Sequence, residues 1–168
     1  MTSQPERPEI GQSIDANGVR TNYHEQGSGE PLLLIHGSGP GVTAWANWQF
    51  NIPVMAQKFR VLAPDMIGFG YTDPPKGGIR DKAVWVDHLA AFLDAKGIDK
   101  VSLVGNSFGG SLTLAFMIAH PDRVKRAVLM GAVGLEFPIT RPLQEVWGYE
   151  PSLEAIGRAM RYLVSDES

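Results

Sequence analysis

The sequence predicts an α/β fold built on a mainly parallel sheet. Three observations predict it. Short runs at Leu32–Ile35, Arg60–Pro64, Val101–Val104 and Arg126–Met130 have strand length and are largely apolar rather than alternating, as strands covered on both faces are. Segments with apolar residues at helical spacing lie between the later runs, the alternation that gives parallel crossovers. Glycine supplies 19 of 168 residues, about 11% where roughly 7% is usual, so tight turns carry much of the architecture.

In chain order, Met1–Ile10 is a polar, proline-containing lead-in. Gly18–Glu25 follows with Val19, Thr21 and Tyr23 on one side of a period-2 pattern. The turn cluster Gln26–Glu30 then leads to Leu32–Ile35, so these two stretches read as an antiparallel strand pair. A glycine-rich loop, His36–Gly41, opens a Trp- and Asn-bearing segment that ends near Lys58, before the strand at Arg60–Pro64. Asp65–Arg80 carries Gly68, Gly70, Pro74, Pro75, Gly77 and Gly78 and reads as loop. Val86, Leu89, Ala90 and Leu93 mark a helix over 81–96, with Gly97 as its stop. Strand Val101–Val104, a helix from Phe108 to His120 and strand Arg126–Met130 complete the regular part. Beyond Gly131 the chain holds Pro138, Pro142, Pro151 and short amphipathic pieces.

Composition narrows the function. Lys and Arg number 15 against 18 Asp and Glu, a net charge of −3 with no basic cluster, so there is no electrostatic footprint for nucleic acid or an anionic membrane. Absence of cysteine removes disulfides and thiolate metal sites and fits a reducing cytoplasm. The first ten residues contain no apolar signal core, and no apolar run approaches the roughly 18 residues of a membrane span.

The strongest chemical signal is Gly105-Asn106-Ser107-Phe108-Gly109, a G-x-S-x-G set between an apolar strand and a helix. Such a turn projects the serine hydroxyl from the sheet edge and needs small residues two positions to either side. Without the serine's chemistry it would be a glycine-rich turn of any doubly wound fold. The second signal is His36-Gly37-Ser38-Gly39-Pro40-Gly41 directly after Leu32–Ile35. A turn here can point backbone N–H groups at a developing oxyanion. A phosphate-cradling loop is the competing reading, but no Lys-Ser or Lys-Thr follows and the spacing is not G-x-G-x-x-G.

Together with Asp65-Met66-Ile67-Gly68-Phe69-Gly70, these motifs resemble the serine α/β-hydrolases. The stretch His36–Trp48 is similar to that of the meta-cleavage product hydrolases of bacterial aromatic degradation, supported by Pro8–Gly11, Trp85–His88, Val128–Gly134 and Val146–Tyr149. The resemblance implies an α/β-hydrolase fold with an antiparallel N-terminal strand, its core begun by residues 1–135 and its helical cap begun by 136–168. It implies hydrolysis of a carbon–carbon bond in 2-hydroxy-6-oxo-hexa-2,4-dienoates, without metal or organic cofactor, by an assembly of two or more copies. Ser107 would be the nucleophile, and the N–H groups of Ser38 and Phe108 the oxyanion hole. Asn47 and Asn106, with Gly37 and Gly39, would line the dienoate end of the pocket. As plain structural residues, Asn106 would be a turn residue and Asn47 a helix N-cap. Trp45, Trp48 and Trp147 are expected in packing.

An ester or lactone hydrolase with the same turn is the competing enzyme, and a non-catalytic dienoate-binding chain the competing non-enzyme. Haloalkane dehalogenases and epoxide hydrolases carry Asp where Ser107 stands. A serine nucleophile needs a base and an orienting acid, which in this fold follow it along the chain. Only His120 does, at the far end of the next helix, while His24, His36 and His88 precede Ser107. His36 is expected to brace loops. The expectation is therefore an N-terminal portion of the enzyme without its catalytic Asp and His, with Ala127–Met130 left as an apolar edge.

Overall fold

The computed structural model describes residues 7–39, 41–78, 81–134, 136, 138–148 and 152–163. The lead-in before residue 7, Pro40, Tyr149 and Pro151 lie outside them, as does the side chain of Trp147. The chain forms two compact units, Met1–Gly134 and Leu135–Ser168.

The first unit is a six-stranded sheet with helices on both faces. Its strands are β1 (Gln12–Asp15), β2 (Arg20–Gln26), β3 (Glu30–Ile35), β4 (Phe59–Pro64), β5 (Val101–Asn106) and β6 (Val124–Met130), in the order β1-β2-β4-β3-β5-β6. β1 pairs antiparallel with β2 and β2 antiparallel with β4, whereas β4, β3, β5 and β6 run parallel. The α/β class and the mainly parallel sheet with an antiparallel N-terminal end thus stand as expected.

One expectation is corrected. β2 and β3 do not pair, because β4 is inserted between them. The connecting turn crosses over the start of β4: a Cβ on Gly27 would stand 2.3 Å from Phe59 O, and one on Gly29 2.9 Å from Lys58 O. Glycine there permits a backbone crossing rather than a hairpin. An additional strand, β1, precedes β2; its short, exposed sequence QSID carries no apolar run to signal it.

Alternate residues of the parallel strands feed two cores. Leu33, Ile35, Leu62 and Leu103 pack under α3 (Ala83–Ala95) and α4 (Phe108–Ala119), with Leu89, Phe92, Leu93, Leu112 and Phe116 fully buried. Leu32, Leu34, Val61, Ala63 and Val104 pack on the opposite face under α1 (Ala44–Trp48) and α2 (Ile52–Met55), with Trp48 as the largest contributor. This two-faced burial explains why the strands read as continuous apolar runs. Gly97, at φ +63°, ends α3 as expected. A 3-10 turn, Pro121–Arg123, leads into β6, which closes the described sheet as an edge with Val128, Leu129 and Met130 exposed.

In the second unit, α5 (Arg141–Trp147) and α6 (Leu153–Leu163) are tied by Arg158, which bonds Glu145 of α5 and Glu154 one turn back. The Ser152 hydroxyl accepts from Ala155 N–H at the start of α6.

Candidate active site

β5 delivers the chain to a turn with no spare space. Ser107 stands at φ +53°, ψ −115°, one of two non-glycine residues with positive φ among those described. A β-carbon in this region costs on the order of 1–3 kcal/mol, held only because the surroundings over-determine it. Those surroundings are explicit. Ser107 N–H donates to Met130 O at 2.8 Å, and Ser107 O accepts from Gly110 N–H at 3.0 Å as α4 begins. A Cβ on Gly105 would lie 2.3 Å from Thr113 Oγ1 and one on Gly109 2.2 Å from Ile35 O. That is the physical content of the two small positions in G-x-S-x-G. The Ser107 hydroxyl does not cap α4 and has no hydrogen-bond partner among the described residues.

Parallel pairing of β3 with β5, in register Ile35 to Gly105, brings the His36–Gly41 loop alongside this turn. A Cβ on Gly37 would stand 3.5 Å from Ser107 Cβ, so the two backbones meet here. His36 is fully buried and braces the loop: Nδ1 donates to Gly37 O at 2.7 Å and Nε2 accepts from Met66 N–H at 3.0 Å. Burial lowers its pKa, against the opposing pull of the Gly37 carbonyl and Asp65, so it sits as the neutral ring these bonds require.

Asn47 Oδ1 accepts both Gly37 N–H (2.9 Å) and Asn106 Nδ2 (3.1 Å), so one amide oxygen joins the loop, α1 and the residue before Ser107. Asn47 is not the N-cap of α1. That position belongs to Thr43, whose hydroxyl accepts from Ala46 N–H at 2.9 Å. Gly37 has spent its N–H on Asn47, whereas Ser38 N–H and Phe108 N–H donate to no described residue. A Cβ on Gly39 would meet nothing within 4 Å, so its surroundings are open. The arrangement offers a hydroxyl, two free backbone donors on adjacent segments and an oriented amide pair, a set suited to acyl chemistry through a tetrahedral oxyanion.

None of the described histidines hydrogen-bonds the Ser107 hydroxyl. His120 closes α4, about 18 Å of helix rise from its start, with its ring against Phe116. His88 is buried under β2, bonded to Thr21 Oγ1 at 2.8 Å and to Ile67 N–H at 3.3 Å, and burial lowers its pKa to about 4. His24 lies over Trp45, and Trp48 is core. Among the described residues no group of three or more His, Asp or Glu gathers as a metal site would require. Nor is any described helix long and apolar enough to cross a membrane.

Sequence reasoning missed Asp65. Fully buried where β4 ends, its carboxylate accepts from Ala44 N–H (2.6 Å), Asn22 Nδ2 (2.9 Å) and Tyr71 N–H (2.9 Å). The available signal was an acidic residue closing an apolar strand ahead of a glycine-rich loop.

The sheet order, the strained serine turn and the donor-bearing loop beside it define an α/β scaffold with a strand–serine–helix turn at the sheet's edge. The family model for the alpha/beta hydrolase fold matches residues 30–153, and the chain belongs to that family. Within it, the chain is 52% identical over 173 residues to a 2-hydroxymuconate semialdehyde hydrolase of Pseudomonas sp. (strain CF600), covering 99% of this chain and 61% of that protein. It is 54% identical over 160 residues to a 2-hydroxy-6-oxo-2,4-heptadienoate hydrolase of Pseudomonas putida, covering 95% and 58%. Among solved structures, the meta-cleavage product hydrolase from Pseudomonas fluorescens IP01, a serine-to-alanine mutant complexed with acetates, is 50% identical with a TM-score of 0.82, over 92% of this chain and 57% of that one. The resemblance to meta-cleavage product hydrolases is thereby borne out. The chain spans about three-fifths of the length of these relatives.

Proposed function

We propose that these residues form the nucleophile-bearing portion of a cytoplasmic, serine-dependent hydrolase that cleaves a carbon–carbon bond in 2-hydroxy-6-oxo-hexa-2,4-dienoates. The observation that carries the reading is the juxtaposition of the strained Ser107 with two backbone donors that are unpaired among the described residues, Ser38 N–H and Phe108 N–H. The names and 52–54% identity of the relatives support the substrate class.

In this reading the dienol first becomes a ketone, which makes the bond to the remote carbonyl breakable. Ser107 Oγ adds to that carbonyl, its proton passing to a general base that the described histidines do not supply. Negative charge develops on the former carbonyl oxygen, where the Ser38 and Phe108 N–H groups receive it. Collapse breaks the carbon–carbon bond. The electron pair enters the conjugated dienolate, which takes the proton back from the base and leaves as 2-hydroxypenta-2,4-dienoate, and water then releases the acid from the serine. Asn47 Nδ2 and Asn106 offer amide donors to the substrate's carboxylate and enol oxygens, and Gly37 and Gly39 leave room for its approach. Residues 136–168, with α5 and α6, begin the helical cap. No cofactor enters the chemistry.

The test is Ser107→Ala in the protein expressed from the complete reading frame, following loss of the coloured dienolate's absorbance. The expected result is a fall in kcat of about a thousandfold or more with the fold intact by circular dichroism. Full activity in the variant would refute the nucleophile.

A further inference from the structure

Both ends of the loop carrying Gly37 and Ser38 are anchored to two consecutive residues, Asp65 and Met66, where β4 ends. We infer that Asp65 is a positioning residue for the oxyanion hole, acting through α1 and Asn47 rather than on substrate. The inference rests on the oxyanion reading of Ser38 N–H given above.

At the loop's entry, Met66 N–H holds His36 Nε2 at 3.0 Å, and the same ring holds Gly37 O. At its exit, the Asp65 carboxylate takes Ala44 N–H at 2.6 Å, the first residue of α1. One turn on, Asn47 Oδ1 returns to Gly37 N–H and Asn106 Nδ2. The path from Asp65 to the serine turn is therefore a closed ring of hydrogen bonds through α1, Asn47, Gly37 and His36. Thr43, the N-cap at the loop's exit, is also buried.

The carboxylate is built for holding. Fully buried, it is bonded by three N–H donors and takes part in no ion pair among the described residues. Gly70, at φ +51°, lets the following loop fold over it, since a Cβ there would lie 2.2 Å from Asp65 Oδ2. Buried carboxylates with several N–H donors order the segments that supply them. Here those segments are α1, β2 and the loop after β4. A five-residue helix has little cooperativity of its own, so the placement of Asn47 depends on what grips its first turn.

The experiment compares Asp65→Asn with the parent in the protein expressed from the complete reading frame. Asparagine keeps the volume but turns one acceptor into a donor facing an N–H. Hydrogen exchange in residues 36–47 is expected to accelerate about tenfold or more while β3 and β5 keep their protection. With the loop loosened, kcat should fall about tenfold or more and KM change less than about threefold. Unchanged exchange in 36–47, loosening spread equally through β3 and β5, or an unchanged kcat would overturn the inference. Should Asp65→Asn fail to fold, Thr43→Ala leaves the carboxylate in place and weakens the same end of α1. The same pattern is then expected at smaller size, and its absence at Gly37 and Ser38 overturns the proposal. The exchange measurement does not depend on turnover, so it stands apart from the Ser107→Ala result, which judges the nucleophile alone.

Discussion

A methyl group at position 109 has nowhere to go. Ile35 O and His36 O would lie 2.2 and 2.6 Å from it, and both belong to backbone that also leads into the loop of Gly37 and Ser38. Gly109→Ala is expected to cost about 3 kcal/mol or more, read as a lowered urea midpoint with an unchanged slope. A shift of less than half a kcal/mol would show that β3 yields more easily than its place mid-sheet suggests. At this scale much was legible: the two glycines, Ser107 and the loop beginning at His36 are local patterns whose meaning follows from neighbouring residues. Asn47 was half legible. A helix start at Asn47 could be read, but the cap went to Thr43, which stands where the extended chain enters the helix and whose hydroxyl accepts from Ala46 N–H. Asp65 could not be read in this way, since its donors come from positions 22, 44 and 71 and meet only in the folded sheet.

Between elements, the long-range pairings decide what local patterns leave open. Each strand of the parallel set announced itself by its apolar run, yet nothing in those runs states their order. The insertion of β4 between β2 and β3 rests on Gly27 and Gly29 passing over Phe59 and Lys58, contacts some 30 residues apart in sequence. Arg123 is another such tie. From the turn before β6 its guanidinium donates to Asp99 O (2.7 Å), Ile98 O (2.8 Å) and Asp94 Oδ1 (2.7 Å), gathering the end of α3 and the entry to β5. Arg123→Ala is expected to destabilise by about 1–3 kcal/mol, since it strips charged donors from two carbonyls, and to raise exchange at Ile98 and Asp99. Arg123→Lys, a single point charge without the planar fork, should recover less than half of the loss. Full recovery by lysine would reduce the tie to simple charge.

For the molecule as a whole, the buried histidines couple stability to pH. His88 lies between Thr21 and Ile67 as a neutral ring with its pKa lowered to about 4 by burial, against an ordinary 6.5. Between these values the unfolded chain takes up a proton that the folded one refuses. The contribution is thus fully present above pH 6.5 and drains away as pH falls towards 4, amounting to about 3 kcal/mol. His36, lowered by the same cause, adds in the same direction. Urea unfolding between pH 7.5 and 4.5 should show this decline, and His88→Asn, which keeps an acceptor for Ile67 N–H, should flatten it. An undiminished slope in the variant would remove His88 from the account. One feature of the sheet reaches further. The amide of Ser107 is held by Met130 O at the end of β6, and β6 in turn is held in register by β5 from Ser102 to Asn106. The pairing of these two strands therefore fixes the serine backbone from the side opposite the His36 loop, so residues that set the register of β6 help set the direction of the Ser107 side chain without touching it.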